Sequence, residues 1–160
     1  MVGFKSSEVS NLEDKFKKME KTLYDYRRLN TAITNLDIEI ERIKNDITLQ
    51  GISYEDKGSP TNAFSSSVEN EVIRREKYVA DEINRLQRLK ADKVALNAKI
   101  YNALKDLDPL EHKLVELRYL ERNKEKRSWI SIGIELNFTA KYCQEIRNKI
   151  INNLAEIVFP

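Results

Sequence analysis

From Leu12 to Ile47 apolar side chains recur in steps of four and three: Leu12, Phe16, Met19, Leu23, Tyr26, Leu29, Ile33, Leu36, Ile40, Ile43 and Ile47. A stripe this long at the helical period predicts one amphipathic helix running to about Leu49. Ser10 and Glu13 have the spacing of a capping box at its start. At ~1.5 Å per residue the helix would span roughly 55–60 Å, too long to bury its face alone. Two consecutive steps of three around Tyr26 form a local stammer in the heptad. Such a helix needs a partner of similar length.

The chain supplies one. Gly51, Gly58 and Pro60 break the pattern, and Ser66 with Glu69 repeats the capping signature. A second helix is predicted from about Val68 to Leu104, with Val72, Val79, Ile83, Leu86, Leu89, Leu96, Ile100 and Leu104 on one side. Two long amphipathic helices joined by a loop over 50–66 pack most simply as an antiparallel coiled-coil hairpin. The loop also permits pairing between chains, and both stripes are wide, so a homodimer through the hairpin is a further expectation. With 34% charged residues and scarce glycine and proline, the composition favours an all-α fold over a β-sandwich.

The C-terminal third changes character. Asp108-Pro109-Leu110-Glu111 predicts a helix start, with Asp108 as N-cap, proline where its missing N–H costs nothing, and Glu111 completing the box. That helix should bury Leu110, Leu114 and Leu117, with Tyr119 and Leu120 as further candidates. After the charged connector Arg122 to Arg127, the stretch WISIGIELNFTAKYCQEIRNKIINNL reads as a helix-turn-helix. A first helix from about Ser128 to Leu136 buries Trp129, Ile132 and Leu136. Asn137 suits the left-handed residue that ends it, and Phe138 is expected to plug the corner. Gly133 allows the two helices to touch closely. Thr139 is the N-cap of a second helix over 139–153, which buries Cys143, Ile146, Ile150 and Leu154. The last residues, 154–160, can dock Ile157 and Phe159 onto the domain. An ordinary helical hairpin with a chance glycine is the bland alternative. The predicted organisation is a flexible segment over 1–9, a helical hairpin over 10–104 and a helix-turn-helix domain over 105–160.

The net charge of +2 is too small for a global field to draw in nucleic acid. Between Arg122 and Lys149, however, seven basic side chains stand against three acidic ones. The second helix of such a motif lies in the major groove with its N-terminal residues nearest the bases. Its outward positions, Ala140, Lys141, Gln144, Glu145 and Asn148, are the candidate base contacts: amides for adenine, lysine for guanine, a carboxylate for cytosine. Lys124, Lys126, Arg127, Thr139, Arg147 and Lys149 are the candidate phosphate contacts. A solvated helix face and a solvated loop would look similar at this level.

Catalytic chemistry finds no footing. The one histidine, His112, sits on the first turn of a helix, and the one cysteine, Cys143, lies on an apolar stripe, so neither a metal site nor a Cys/His pair is expected. There is no glycine-rich phosphate loop and no Ser/His/Asp set. No enzyme activity, cofactor or metal is expected. No segment approaches ~18 consecutive apolar residues, so a soluble, intracellular protein without membrane contact is expected.

ALKDLDPLEHKLVELRYL followed by SWISIGIELNFTAKYCQEIRNKIINNL resembles region 4 of the sigma-70 family. Leu107, Pro109, Leu117, Arg118, Tyr119, Ile132, Gly133, Leu136, Thr139, Ile146 and Leu154 match its layout. The family's recognition helix carries several arginines and a glutamine, whereas this chain has Ala140-Lys141-Tyr142-Cys143-Gln144-Glu145; an ordinary −35 element is therefore not the implied target. Residues before 104 do not resemble the promoter-melting region of sigma factors. Instead YDYRRLNTAITNLDIEIE and SPTNAFSSSVENEVIRRE make the chain similar to phage regulators of the RinA/ArpU kind, which activate late genes in Gram-positive phages and prophages. The resemblance implies a sequence-specific transcription regulator in the bacterial host cytoplasm, associated with the nucleoid, with promoter DNA as partner and RNA polymerase as a candidate second one. A DNA-packaging adaptor like a phage terminase small subunit, and an alternative sigma factor acting with core polymerase, are the competing readings.

Overall fold

The computed structural model describes residues 4–51, 65–121 and 126–160, with side chains over 11–46, 70–121 and 126–160. All regular structure among these residues is helical: α1 (Phe4–Gly51), α2 (Ser65–Lys105), α3 (Pro109–Val115), a π-helical segment (Glu116–Leu120), α4 (Trp129–Leu136) and α5 (Ala140–Val158). The all-α expectation holds, and α1 packs along α2. None of these helices is long and apolar enough to cross a membrane.

Helix α1 begins at Phe4, so Ser10 lies inside it instead of capping it. The first nine residues are correspondingly helical from Phe4 on. The side chains of the second expected pair, Ser66 and Glu69, and of Ile47 fall outside the described residues, as do the middle of the predicted loop, 52–64, and connector residues 122–125.

The chain forms two compact units, one of residues 1–30 and 95–160 and one of residues 31–94. The division does not fall at residue 105. In the unit of residues 31–94, α1 and α2 run antiparallel: Lys90 donates to Asp37, while Glu39, Ile43 and Asp46 share a groove with Arg75, Tyr78, Val79 and Glu82. Its apolar seam is thin. Ile40 and Leu86 are buried, whereas Ile33, Leu36, Ile43, Val79 and Ile83 are half-buried. Exposed ion pairs such as Arg42–Glu39 and Arg85–Glu82 decorate the helices one turn apart and add little stability.

The other unit holds the main core. Met19, Leu23 and Leu29 of α1 meet Ile100, Ala103 and Leu104 of α2. They are joined by Leu114 and Val115 of α3, Leu117 and Tyr119 of the π-helical segment, Ile132 of α4, and Cys143, Ile150, Ile151, Leu154, Ala155 and Val158 of α5. The Asn97 amide donates to the Asn30 carbonyl oxygen at the edge of this unit. The sequence stripes thus find their partners, although Leu12 and Val72 at their ends and Leu89 in the middle of α2 stay exposed. At the C-terminus, helix α5 continues to Val158, which is the buried residue there. Phe159 packs on the core with the Lys18 ammonium 4.1 Å above its ring, while Ile157 is exposed, contrary to the expected docking.

Candidate nucleic-acid interface

The N-terminal ends of α3, α4 and α5 and the C-terminal end of α4 are each closed by a residue whose chemistry suits it. Asp108 caps α3: its carboxylate accepts from Glu111 N at 2.8 Å, and Glu111 Oε2 accepts in return from Asp108 N at 3.3 Å. Ser128 caps α4 by accepting from Ser131 N at 3.1 Å, and Thr139 Oγ1 caps α5 by accepting from Tyr142 N at 3.2 Å. Asn137 ends α4 at φ 59°, ψ 39°, in the left-handed region that asparagine tolerates better than other side chains.

The turn between α4 and α5 is therefore three residues, Asn137 to Thr139. Gly133 makes it possible. Phe138 N donates to Gly133 O at 2.8 Å, drawing the chain back over the helix. A Cβ at Gly133 would stand 2.5 Å from Phe138 O and 3.3 Å from Ala140 N. The close approach is thus to the turn's backbone and the first residue of α5, more local than a crossing of two helix bodies. Beneath it Ile132 and Cys143 are fully buried, and burial pushes the Cys143 thiol up from its ordinary range. Phe138 does not plug the corner. It is 38% exposed and packs its ring on Tyr142 at 5.0 Å.

Of the candidate base-contact residues, Lys141, Gln144, Glu145 and Asn148 are exposed on α5, and Ala140 is half-buried. Lys149 is exposed beside them, and Asn152 extends the same face one turn further. Sequence reading passed over Asn152, although its place four residues after Asn148 marks it. This face offers two ammoniums, three carboxamides and a carboxylate, a mixture that can both donate and accept hydrogen bonds.

The candidate phosphate contacts divide. Lys124 lies outside the described residues. Lys126 is exposed with its ammonium 4.1 Å above the Tyr24 ring. Arg127 is held by Glu135 at 2.6 Å, by Glu121 at 3.3 Å and by Ser131 Oγ at 3.2 Å, and the Glu135 hydrogen bond holds its guanidinium pKa above the usual range. Thr139 is exposed, with its hydroxyl already used as a cap.

Arg147 points the other way. Its side chain is only 19% exposed, donates to Glu20 Oε1 at 3.0 Å, and lies 5.4 Å from the Phe16 ring centroid and 5.3 Å from that of Trp129. The reason is its position: Cys143, Arg147 and Ile151 follow at steps of four along the buried face of α5. Its stem can pack among apolar groups while its head finds an acid.

Glu20 is the hub of this contact. The same Oε1 accepts from Tyr119 OH at 2.8 Å. Tyr119 is buried with its ring edge-on to Tyr24 at 4.7 Å, and burial above all, then the Glu20 bond, drives its phenol pKa far upward. The π-helical segment carries Tyr119 and is closed by Glu121 N donating to Glu116 O at 2.8 Å, five residues back. Arg118, next to Tyr119, lies over the Trp129 ring at 4.5 Å and donates to the carbonyl oxygen of Arg127. One acid on α1 thus ties the π-helical segment to α5, and the Trp129 ring binds α4 into the same assembly. Sequence reading had no signal for it. Among the described residues no cluster of His, Cys, Asp or Glu has the arrangement of a metal site, and His112 is exposed.

Comparison with curated proteins and with solved structures finds no match. A family model described as "Protein of unknown function (DUF722)" matches residues 15–156, from the first turns of α1 to the last of α5. The match takes in all of residues 31–94, most of the other unit and every residue of the face just described, and the chain belongs to the DUF722 family.

Proposed function

We propose that this protein is a sequence-specific DNA-binding transcription regulator that reads duplex DNA with α5. The observation that carries the reading is the face of Lys141, Gln144, Glu145, Asn148 and Lys149, exposed on a helix that follows a short helix and a three-residue turn. This is the arrangement in which a recognition helix presents its first turns to the major groove. Glutamine and asparagine match adenine, lysine matches guanine and glutamate accepts from cytosine. The sigma-region-4 resemblance supports the same use of α5, and the likeness to phage regulators supports late-gene activation beside RNA polymerase in a bacterial cytoplasm. Lys141 is the lysine that meets guanine, while Lys149, and Lys126 on leaving the Tyr24 ring, are the phosphate contacts of this reading. Arg147 belongs to the scaffold.

The test is selection of duplexes from a random pool with the full chain, over a salt series, followed by titration of variants. Gln144→Ala should cost about 1–3 kcal/mol on the selected site and relax preference at one position, whereas Lys149→Ala should weaken all sequences alike and flatten the salt slope by about one. Salt-sensitive binding without an enriched sequence would remove sequence-specific recognition from the reading. An unchanged preference in Gln144→Ala would remove α5 as the reader.

A further inference from the structure

Two aromatic rings sit in water at the entry to α5. Phe138 in the turn is 38% exposed and Tyr142 on the first helical turn is 45% exposed. Their centroids are 5.0 Å apart with planes tilted by 52°, so the pair forms one apolar ledge. Neither ring belongs to the core cluster below, which Ile132 and Cys143 close without them. The backbone of both residues is fixed: Phe138 N is bonded to Gly133 O and Tyr142 N to Thr139 Oγ1. The backbone beneath the ledge is therefore held in place before any partner arrives.

Its surroundings select the partner. Lys141 precedes Tyr142, and Gln144 and Glu145 follow within one turn, all exposed. A protein-docking patch places contiguous apolar surface at its centre and charge at its rim. Along α5 the two rings are followed by hydrogen-bonding side chains, while the other exposed apolar side chains nearby in the chain, Ile130 and Ile134, lie on α4 before the turn. A major-groove edge has the complementary pattern, mostly donors and acceptors, with one apolar group: the C5 methyl of thymine.

We infer that the Phe138–Tyr142 ledge reads a thymine methyl group, which makes one T·A pair in the target a specificity determinant. The inference rests on the DNA-reading role of α5. The Tyr142 ring face makes the contact, Phe138 props the ring, and the Tyr142 hydroxyl is not needed.

The experiment uses the full chain and the tightest duplex recovered from the random pool, remade with each thymine in turn replaced by deoxyuridine, which lacks only the methyl. At one position the replacement should weaken wild type and Tyr142→Phe by about fourfold, the value of one buried methyl group. Tyr142→Ala should bind the thymine duplex more weakly by at least that factor and no longer distinguish it from the deoxyuridine duplex. Circular dichroism melts establish that Tyr142→Ala is folded, and Phe138→Ala takes its place if it is not. Wild-type affinity unchanged at every thymine, or a selected site without thymine, overturns the inference and leaves the DNA reading standing. Discrimination that persists in the alanine variant also overturns it, by assigning the methyl to another residue. Failure to enrich any duplex overturns both.

Discussion

At Gly133 a single carbon decides a packing. The atoms an added Cβ would meet, Phe138 O at 2.5 Å and Ala140 N at 3.3 Å, are backbone, so no side chain can swing aside and the turn itself must move. Alanine would return up to ~1 kcal/mol of helix propensity, against the ~1–3 kcal/mol typical of overpacking. Because the obstacle is backbone, the overpacking falls toward the upper end, and Gly133→Ala should lose about 2 kcal/mol net, read as a lower Tm. A variant as stable as wild type would mean the turn has slack and the glycine is incidental. Tyr119 gives a second test at this scale. Burial and the Glu20 bond raise its phenol above the ordinary 10.0, so the folded state holds this proton more tightly than the unfolded one. A raised pKa contributes stability that is complete below the unfolded value and is lost as pH climbs toward the folded one. Tyr119→Phe has no proton there to lose. The stability advantage of wild type over Tyr119→Phe should shrink between about pH 9 and about pH 11, the window set by the unfolded phenol. Urea melts at several pH values measure the difference, in which the common lysine titrations cancel. A flat difference would show that the phenol ionises as freely in the folded chain as in the unfolded one.

Helix α5 carries two kinds of cation, and they should separate in experiment. Arg147→Ala removes a guanidinium bonded to Glu20 and stacked by Phe16 and Trp129, and it leaves Glu20 with one donor fewer. With both partners less than a third exposed, the loss should be about 1–3 kcal/mol of stability, with DNA affinity of the folded protein little changed. Lys149→Ala should leave the Tm in place and weaken DNA binding. The opposite pattern would mean that α5 presents its other side to DNA. What the sequence made legible here follows from range. The caps at Asp108 and Thr139, the left-handed Asn137 and the close approach at Gly133 are each decided within about five residues, and the structure has all of them, while Ser128, expected as the start of α4, proves to be its cap. Arg147 was misread as outward because its partner lies 127 positions earlier in the chain, although its spacing from Cys143 and Ile151 already put it on the buried face. Ser10 and Glu13 failed in the opposite way. Their capping pattern is real as a pattern, but it says nothing about whether the residues before it can also turn helical, and here they do from Phe4. The π-helical widening at Glu116–Leu120 left no sequence signal, because it is bound up with the reach of Tyr119 to an acid on α1.

For the molecule as a whole, the consequence is that the C-terminal helices do not own their core. The stammer around Tyr26 comes just before residue 30, where the main compact unit leaves α1. Up to that point α1 contributes Met19, Leu23 and Leu29 to the cluster that also holds Ile132, Cys143 and Ile150, and α2 adds Ile100, Ala103 and Leu104. Reading local patterns finds where helices begin and end, but not which distant stripe closes over them, so residue 105 looked like a boundary. A fragment of residues 105–160 would lose those six apolar partners together with Glu20, exposing Tyr119, Leu114 and the inner side of α5 and stranding Arg147 without its acid. Truncating even one well-buried side chain of this class costs about 2–5 kcal/mol, and chains of this length are already marginal for want of core. The fragment should therefore show little cooperative melting and poor amide dispersion in NMR spectra, and it should not bind the selected duplex at concentrations that saturate the full chain. Adding residues 1–30 and 95–104, through a linker replacing 31–94, should restore both, since every member of the main core cluster would be present again. A sharp, full-length-like melt from 105–160 alone would show that the contacts with α1 and α2 are ornamental to a self-sufficient domain. Restoration by the linked chain would instead place the first thirty residues among the parts that hold α5 ready for DNA.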